Sequence, residues 1–173
     1  FAAEIHKGPI STLVVVSPTL LMAGSWDGSV SFWNFETYEL VSHVLQAGAY
    51  AIVGAMCGES LVTGSQDKSL NFWEGEKIST KIPNAHSDII RSIASNHESL
   101  MATCSNDCVV KIWTLQGEPV AELHGHTNFV FSVDMFETNS ILSAGEDRTV
   151  RIWNHDQLAQ TILHPGTVWF AKW

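Results

Sequence analysis

Residues 145–153 read GEDRTVRIW, and the same nine-residue frame stands at 105–113 (SNDCVVKIW), 65–73 (SQDKSLNFW) and 25–33 (SWDGSVSFW). Trp33, Trp73, Trp113 and Trp153 are 40 residues apart, and Asp27, Asp67, Asp107 and Asp147 each precede their Trp by six. His6, Gln46, His86 and His126 stand 27 residues before each Trp. A fixed period of this length is the signature of stacked structural repeats. Within each unit short apolar stretches (60–65 SLVTGS, 100–105 LMATCS, 140–145 SILSAG) lead into the Asp, and alternating ones (109–113 VVKIW, 149–153 TVRIW) follow it. Turn residues such as Gly58-Glu59, Asn96-His97, Gly117-Glu118 and Asn139 punctuate them, so the units read as strands and no helical period is sustained.

Four short antiparallel strands per unit, with Asp at a tight turn and Trp closing the third strand, describe a β-propeller blade. The frames resemble the WD-repeat family, although the dipeptides here are Trp-Asn, Trp-Glu and Trp-Thr. The expected fold is all-β, with four complete four-stranded blades over about 6–45, 46–83, 86–123 and 126–163. Residues 1–5 align with the end of a preceding blade, and 166–173 with the first strand of a following one. An arc with open edges is expected to belong to a larger ring, usually of seven blades, because unpaired edges invite aggregation.

The recurring sets invite a catalytic reading. His86, Thr103 and Asp107, and likewise His126, Ser143 and Asp147, match the residue types of a hydrolase triad. A nucleophile is built once, however, at one exposed place. Antiparallel pairing puts the His and Asp at one end of a blade, with the hydroxyl between the imidazole and the Trp indole. The expectation is therefore a buried structural chain. Its members are His6, Asp27 and Trp33 in blade one, and Thr63, Asp67 and Trp73 in blade two. His86, Thr103, Asp107 and Trp113 serve blade three, and His126, Ser143, Asp147 and Trp153 blade four. Blade one carries Ala23 at the hydroxyl position and blade two Gln46 in place of His, so these two blades are expected to be less stable. No phosphate loop, paired-carboxylate set or nucleophile elbow is present, so no enzyme, cofactor or metal is expected. Cys104 and Cys108 lack the second ligand pair of a zinc site.

Charge narrows the partners. Lys and Arg number 9 against 18 Asp and Glu, a net charge of −9 in 173 residues. That balance excludes a basic stripe for nucleic acid and disfavours an anionic membrane surface. Cys57, Cys104 and Cys108 are odd in number and no glycosylation sequon occurs. Cytoplasm and nucleus are the expected compartments.

A partner is then expected at positions that break the repeat. Residues three and five after each His point to the end of the disc that holds the Asp turns, the top. They are Pro9 and Ser11, Ala49 and Ala51, Ile89 and Arg91, Phe129 and Phe131, and, with a strand two residues shorter, Thr167 and Trp169. The residues before each turn Asp add Trp26, Gln66, Asn106 and Glu146. Trp26, Ile89, Arg91, Asn106, Phe129, Phe131, Glu146 and Trp169 form the candidate partner site, since aromatics and Arg carry most interface energy. Packing of Phe129 and Phe131 between blades is the competing reading. Asp88, Asp107 and Glu146 would border the patch with acid.

Residues 86–94 (HSDIIRSIA), 103–113, 125–134 (GHTNFVFSVD), 143–153 and 160–169 (QTILHPGTVW) resemble the phospholipase A-2-activating protein family, also called ubiquitin-fusion-degradation factors. GSWD at 24–27 fits that family's third blade, and Pro165 with Trp169 replaces the usual Gly-His start of a blade. The likeness extends over 84–173 and thins before it. It implies the third to sixth of seven blades of an adaptor in ubiquitin-dependent degradation, with ubiquitin or a ubiquitinated protein on the propeller top. An AAA ATPase would be engaged only through downstream domains that this chain does not contain. A WD-repeat scaffold for another protein or peptide remains an alternative, as does a four-blade half that dimerises.

Overall fold

The computed structural model describes residues 5–45, 50, 52–136 and 140–173. Residues 1–4 of the expected preceding strand, Gln46, Ala49, Ala51 and Asn139 lie outside the described residues. Sixteen strands form four separate sheets of four. The first sheet holds β1 (Ile10–Val15), β2 (Leu20–Ser25), β3 (Ser29–Asn34) and β4 (Glu39–Leu45), and the second β5 (Val53–Cys57), β6 (Ser60–Gly64), β7 (Leu70–Glu74) and β8 (Lys77–Ile82). The third holds β9 (Ile90–Ser95), β10 (Leu100–Ser105), β11 (Val110–Thr114) and β12 (Pro119–Leu123). The fourth holds β13 (Val130–Phe136), β14 (Ser140–Gly145), β15 (Thr149–Asn154) and β16 (Gln157–Leu163). Every sheet is an antiparallel meander in chain order.

Position in the arc follows from apolar content. The first strands β1, β5, β9 and β13 contact one another from sheet to sheet, so they line the inside. The second strands are buried on both faces, with Val62, Thr63, Met101, Ala102, Thr103 and Ser143 all sealed, which is why their sequences run apolar or hydroxyl-bearing without polar alternation; the third strands, such as VKIWT and TVRIWN, alternate and are buried in part. The fourth strands are solvent-facing, and β16 is exposed along its whole length.

The repeated frame does more than mark turns. Three of the four repeat Trp residues pack onto the preceding sheet: Trp73 with Val14, Met22, Val30 and Phe32, Trp113 with Cys57, Val62, Leu70 and Phe72, and Trp153 with Ala102, Cys104, Val110 and Ile112. Phe32 meets Trp73 edge-on at 5.6 Å between ring centroids, a favoured aromatic geometry. Three apolar seams between four sheets thus form the core.

Residues 166–173 form no ladder of their own but lie beside β13, where the first strand of a following blade is expected: Val168 N–H to Gly145 O (3.1 Å) repeats the bond of Ile90 N–H to Ser65 O (3.2 Å), and Ser132 Oγ–H to Ala171 O (3.1 Å) and Trp173 N–H to Asp134 Oδ2 (3.0 Å) continue it. A strand needs a neighbour to complete its ladder, and none of the described residues stands on the far side of this segment.

Candidate functional site

Each Asp turn is built the same way. The Asp carboxylate accepts the backbone N–H two residues on, at 2.8 Å for Ser29, 3.0 Å for Ser69, 3.1 Å for Val109 and 3.0 Å for Thr149. The next residue takes the left-handed conformation, with φ of 83° at Gly28, 68° at Lys68, 69° at Cys108 and 62° at Arg148. In three blades the same carboxylate receives the N–H that follows the His: Lys7 at 2.5 Å, Ser87 at 2.9 Å and Thr127 at 3.1 Å. The Asp therefore ties its turn to the loop that enters the blade, so both lie at one end.

Blades three and four hold closed chains of polar groups. His86 Nδ1–H donates to Asp107 Oδ2 (2.8 Å), His86 Nε2 accepts from Thr103 Oγ1 (2.7 Å), and Trp113 Nε1–H donates to that oxygen (2.9 Å). His126, Asp147, Ser143 and Trp153 repeat the pattern with all three bonds at 2.8 Å. Both hydroxyls are fully buried, so neither reaches a substrate. Partial burial raises the Asp107 carboxyl, but hydrogen bonds from His86 and from the backbone N–H groups of Ser87 and Val109 outweigh it and hold the group down at about 2. Burial lowers His126, only partly opposed by Asp147.

Blade one completes its chain from another strand. Ala23 pairs across the ladder with Ser31, and Ser31 supplies the missing hydroxyl from the neighbouring strand. Its Oγ lies 2.6 Å from His6 Nε2 and receives Trp33 Nε1–H at 2.8 Å. Ser29 is inserted between His6 Nδ1 (2.7 Å) and Asp27 Oδ1 (2.5 Å), because the direct His6–Asp27 separation is 3.8 Å. In blade two Trp73 Nε1–H reaches Thr63 Oγ1 at 2.9 Å, and Lys81 on β8 donates to Asp67 Oδ2 at 2.9 Å. A flanking cation therefore supports the Asp of the blade that has Gln46 in its sequence. Burial raises Asp67, and the Ser65 and Ser69 hydroxyls with Lys81 reverse this, leaving it at about 2.

The top face depends on a β-bulge. In β1, β9 and β13 the ladder slips by one residue, between Ile10 and Thr12, at Ile90–Ser92 and between Val130 and Ser132. The unpaired residues are Ser11, Arg91 and Phe131, and a bulge re-aims the side chain it carries. In β5 the register is regular from Val53 to Cys57. In all four blades, bulged or not, the N–H of the residue before the turn Asp meets a carbonyl just ahead of the first strand: Trp26 to Pro9 (2.9 Å), Gln66 to Tyr50 (2.9 Å), Asn106 to Ile89 (3.0 Å) and Glu146 to Phe129 (2.8 Å). Tyr50 is one residue beyond the place a strict 40-residue period assigns to Ala49.

Five of the eight partner-site candidates converge. Phe131 stacks on Trp169 with centroids 4.6 Å apart and rings 15° from parallel. Phe129 meets Phe131 edge-on at 6.4 Å, and Arg91 Cζ lies 5.8 Å from the Phe131 centroid on the third blade's side. Arg91 Nε–H donates to Asn106 Oδ1 at 2.7 Å, and Asn106 is buried. Asn106 is thus a support beneath the surface. Ile89 and Glu146 are half-buried beside the cluster, joined to it through the backbone bonds just described. Trp26, 53% exposed, stands on the first blade's turn and makes no ring contact with the other candidates. Among the acidic neighbours, Asp107 is committed to its His, so Asp88 and Glu146 alone border the patch. Sequence spacing missed Ser31, Lys81 and Tyr50. Cross-strand register would have found the first two, since each sits opposite a tetrad strand.

A profile for WD domain, G-beta repeat (WD40) matches residues 4–34, 77–114 and 117–154. The ubiquitin homeostasis protein lub1 of Schizosaccharomyces pombe is 45% identical over 97 residues, 55% of this chain and 13% of that protein. DDB1- and CUL4-associated factor 10 of Homo sapiens is 31% identical over 83 residues, 46% of this chain and 15% of its own length. The WD40 β-propeller domain of Doa1 superposes with a TM-score of 0.83 at 26% identity, covering 95% of this chain and 57% of that one. The chain therefore spans a small part of its curated relatives and little more than half of a related propeller.

Proposed function

The chain belongs to the WD40 family of G-beta repeats, and from that premise we propose that it is a non-enzymatic module whose top face binds ubiquitin or a ubiquitinated protein, within an adaptor for ubiquitin-dependent degradation. Kinship with lub1 and with the Doa1 propeller supports a protein-interaction role in that setting. The observation that carries the proposal is the Arg91–Phe131–Trp169 column with Phe129 at its side. Rigid aromatic and guanidinium groups gathered in one place are the usual anchors of an interface. Asp88 and Glu146 at its border suit a partner whose apolar patch has basic neighbours, as ubiquitin's does. Cytoplasm and nucleus are the compartments this role requires. Engagement of an AAA ATPase belongs to the adaptor as a whole and is assigned to none of these residues. The likeness to DDB1- and CUL4-associated factor 10 favours a second reading, in which the same face receives another protein or peptide.

Titration of isotope-labelled ubiquitin with the chain tests the proposal. Wild type should shift a contiguous apolar patch of ubiquitin. Phe131→Ala and Trp169→Ala should each weaken binding by about 1–3 kcal/mol while circular dichroism and melting stay near wild type. Absence of shifts with a folded wild-type chain would leave the second reading, to be pursued with other partners on the same face.

A further inference from the structure

We infer that Arg91 is a pre-oriented, two-pronged donor for a carboxylate on the partner, and that Asn106 is the residue that aims it. The inference deepens the ubiquitin reading and rests on it. Arg91 is the residue that the β9 bulge leaves unpaired, and β9 is flanked by β5 on one side and β13 on the other. Its surroundings are therefore complete on both sides. Nε–H is taken by Asn106 Oδ1 at 2.7 Å, and the Phe131 ring lies 5.8 Å from Cζ. Those two contacts restrain the plane of the guanidinium. The terminal Nη groups make no hydrogen bond and no ion pair among the described residues.

Lys81 and Lys111 each find an internal carboxylate, at 2.9 and 2.8 Å. Asn106 explains the difference. The sibling positions hold Trp26, Gln66 and Glu146. A glutamate there would neutralise the guanidinium from within, whereas an amide oxygen accepts the Nε proton and leaves the full charge to a partner. The bulge positions of the sibling blades hold Ser11 and Phe131, so the device belongs to the third blade alone among the bulged strands. A planar fork held at Nε offers two parallel N–H groups, the geometry that matches a carboxylate and that lysine cannot reproduce. The adjoining Phe131 and Phe129 rings supply the apolar surroundings that strengthen such a bond once water is excluded.

Labelled ubiquitin titrated with four variants tests this. Arg91→Lys should weaken binding about tenfold, as much as Arg91→Ala, because both lose the charge-assisted pair. Asn106→Ala should weaken it by a smaller factor, and the Arg91 Nε–H signal, protected in wild type, should disappear. Ubiquitin with single Asp→Asn and Glu→Gln changes, together with a C-terminally amidated form, identifies the acceptor. One of these forms should lose about tenfold against wild type and nothing further against Arg91→Ala. Full affinity of Arg91→Lys, or no ubiquitin form coupled to Arg91, overturns the inference while loss of binding by Phe131→Ala leaves the ubiquitin reading standing. A wild-type chain that does not bind ubiquitin at all overturns both.

Discussion

At the scale of single residues, the blades use one hydrogen-bonding scheme with interchangeable suppliers. A buried indole N–H and a buried imidazole each need a partner, because an unmet polar group away from water costs about 1–3 kcal/mol. In blades three and four the supplier is Thr103 or Ser143, and in blade one it is Ser31 across the ladder from Ala23. Ser31→Ala should cost about 1–3 kcal/mol in denaturant unfolding, and adding Ala23→Thr should recover part of it. Failure of the second change to help would mean that the hydroxyl has to come from β3. The same networks set the response to acid. Asp67 and Asp107 have folded values near 2, so their stabilising contribution is complete above about pH 4 and is lost as pH falls through 2. His126 is lowered from its ordinary 6.5 by burial, so the unfolded chain binds its proton first and stability falls below that pH. Melting temperature should be level from pH 8 to 7 and decline steadily from about 6.5 to 3. A rise on acidification would contradict both assignments.

At the scale of elements, the decisive feature is the bulge at the head of the first strand. Alternation along an ideal strand places Phe129 and Phe131 on one side, and the ladder slip is what frees Phe131 and Arg91 from pairing. Gly145 makes that geometry possible in blade four. A Cβ there would stand 2.3 Å from the Phe129 carbonyl oxygen, which belongs to the backbone and has to move. Gly145→Ala should therefore destabilise by about 1–3 kcal/mol and weaken binding at the aromatic cluster. Gly166→Ala, where a Cβ meets nothing within 4 Å, should do neither. Equal melting temperatures for the two variants would show that the bulge tolerates displacement.

At the scale of the whole molecule, Trp73, Trp113 and Trp153 are each at once a hydrogen-bond donor and the apolar wedge between two sheets. Trp113 is 4% exposed among residues of the second sheet, while Trp33 is half-buried because no described sheet precedes it. Trp113→Ala should cost about 3 kcal/mol or more, and Trp33→Ala clearly less, in parallel denaturant melts. Similar losses would mean that the polar chain, and not the seam, holds the arc together. The all-β class, the four units and their strand order were legible in the sequence alone, since the 40-residue spacing of Asp and Trp repeats a local turn-and-strand pattern that depends on near neighbours. The closed sets around His86 and His126 were legible for the same reason. What only the tertiary structure decided lies across strands and between sheets. Ser31 stands in for Ala23 through ladder pairing, Lys81 reaches Asp67 from the outer strand, Asn106 lies under Arg91, and 166–173 follows β13 without becoming a strand. Register slips and sheet-to-sheet packing depend on residues distant in sequence, and a period counted along the chain carries no record of them.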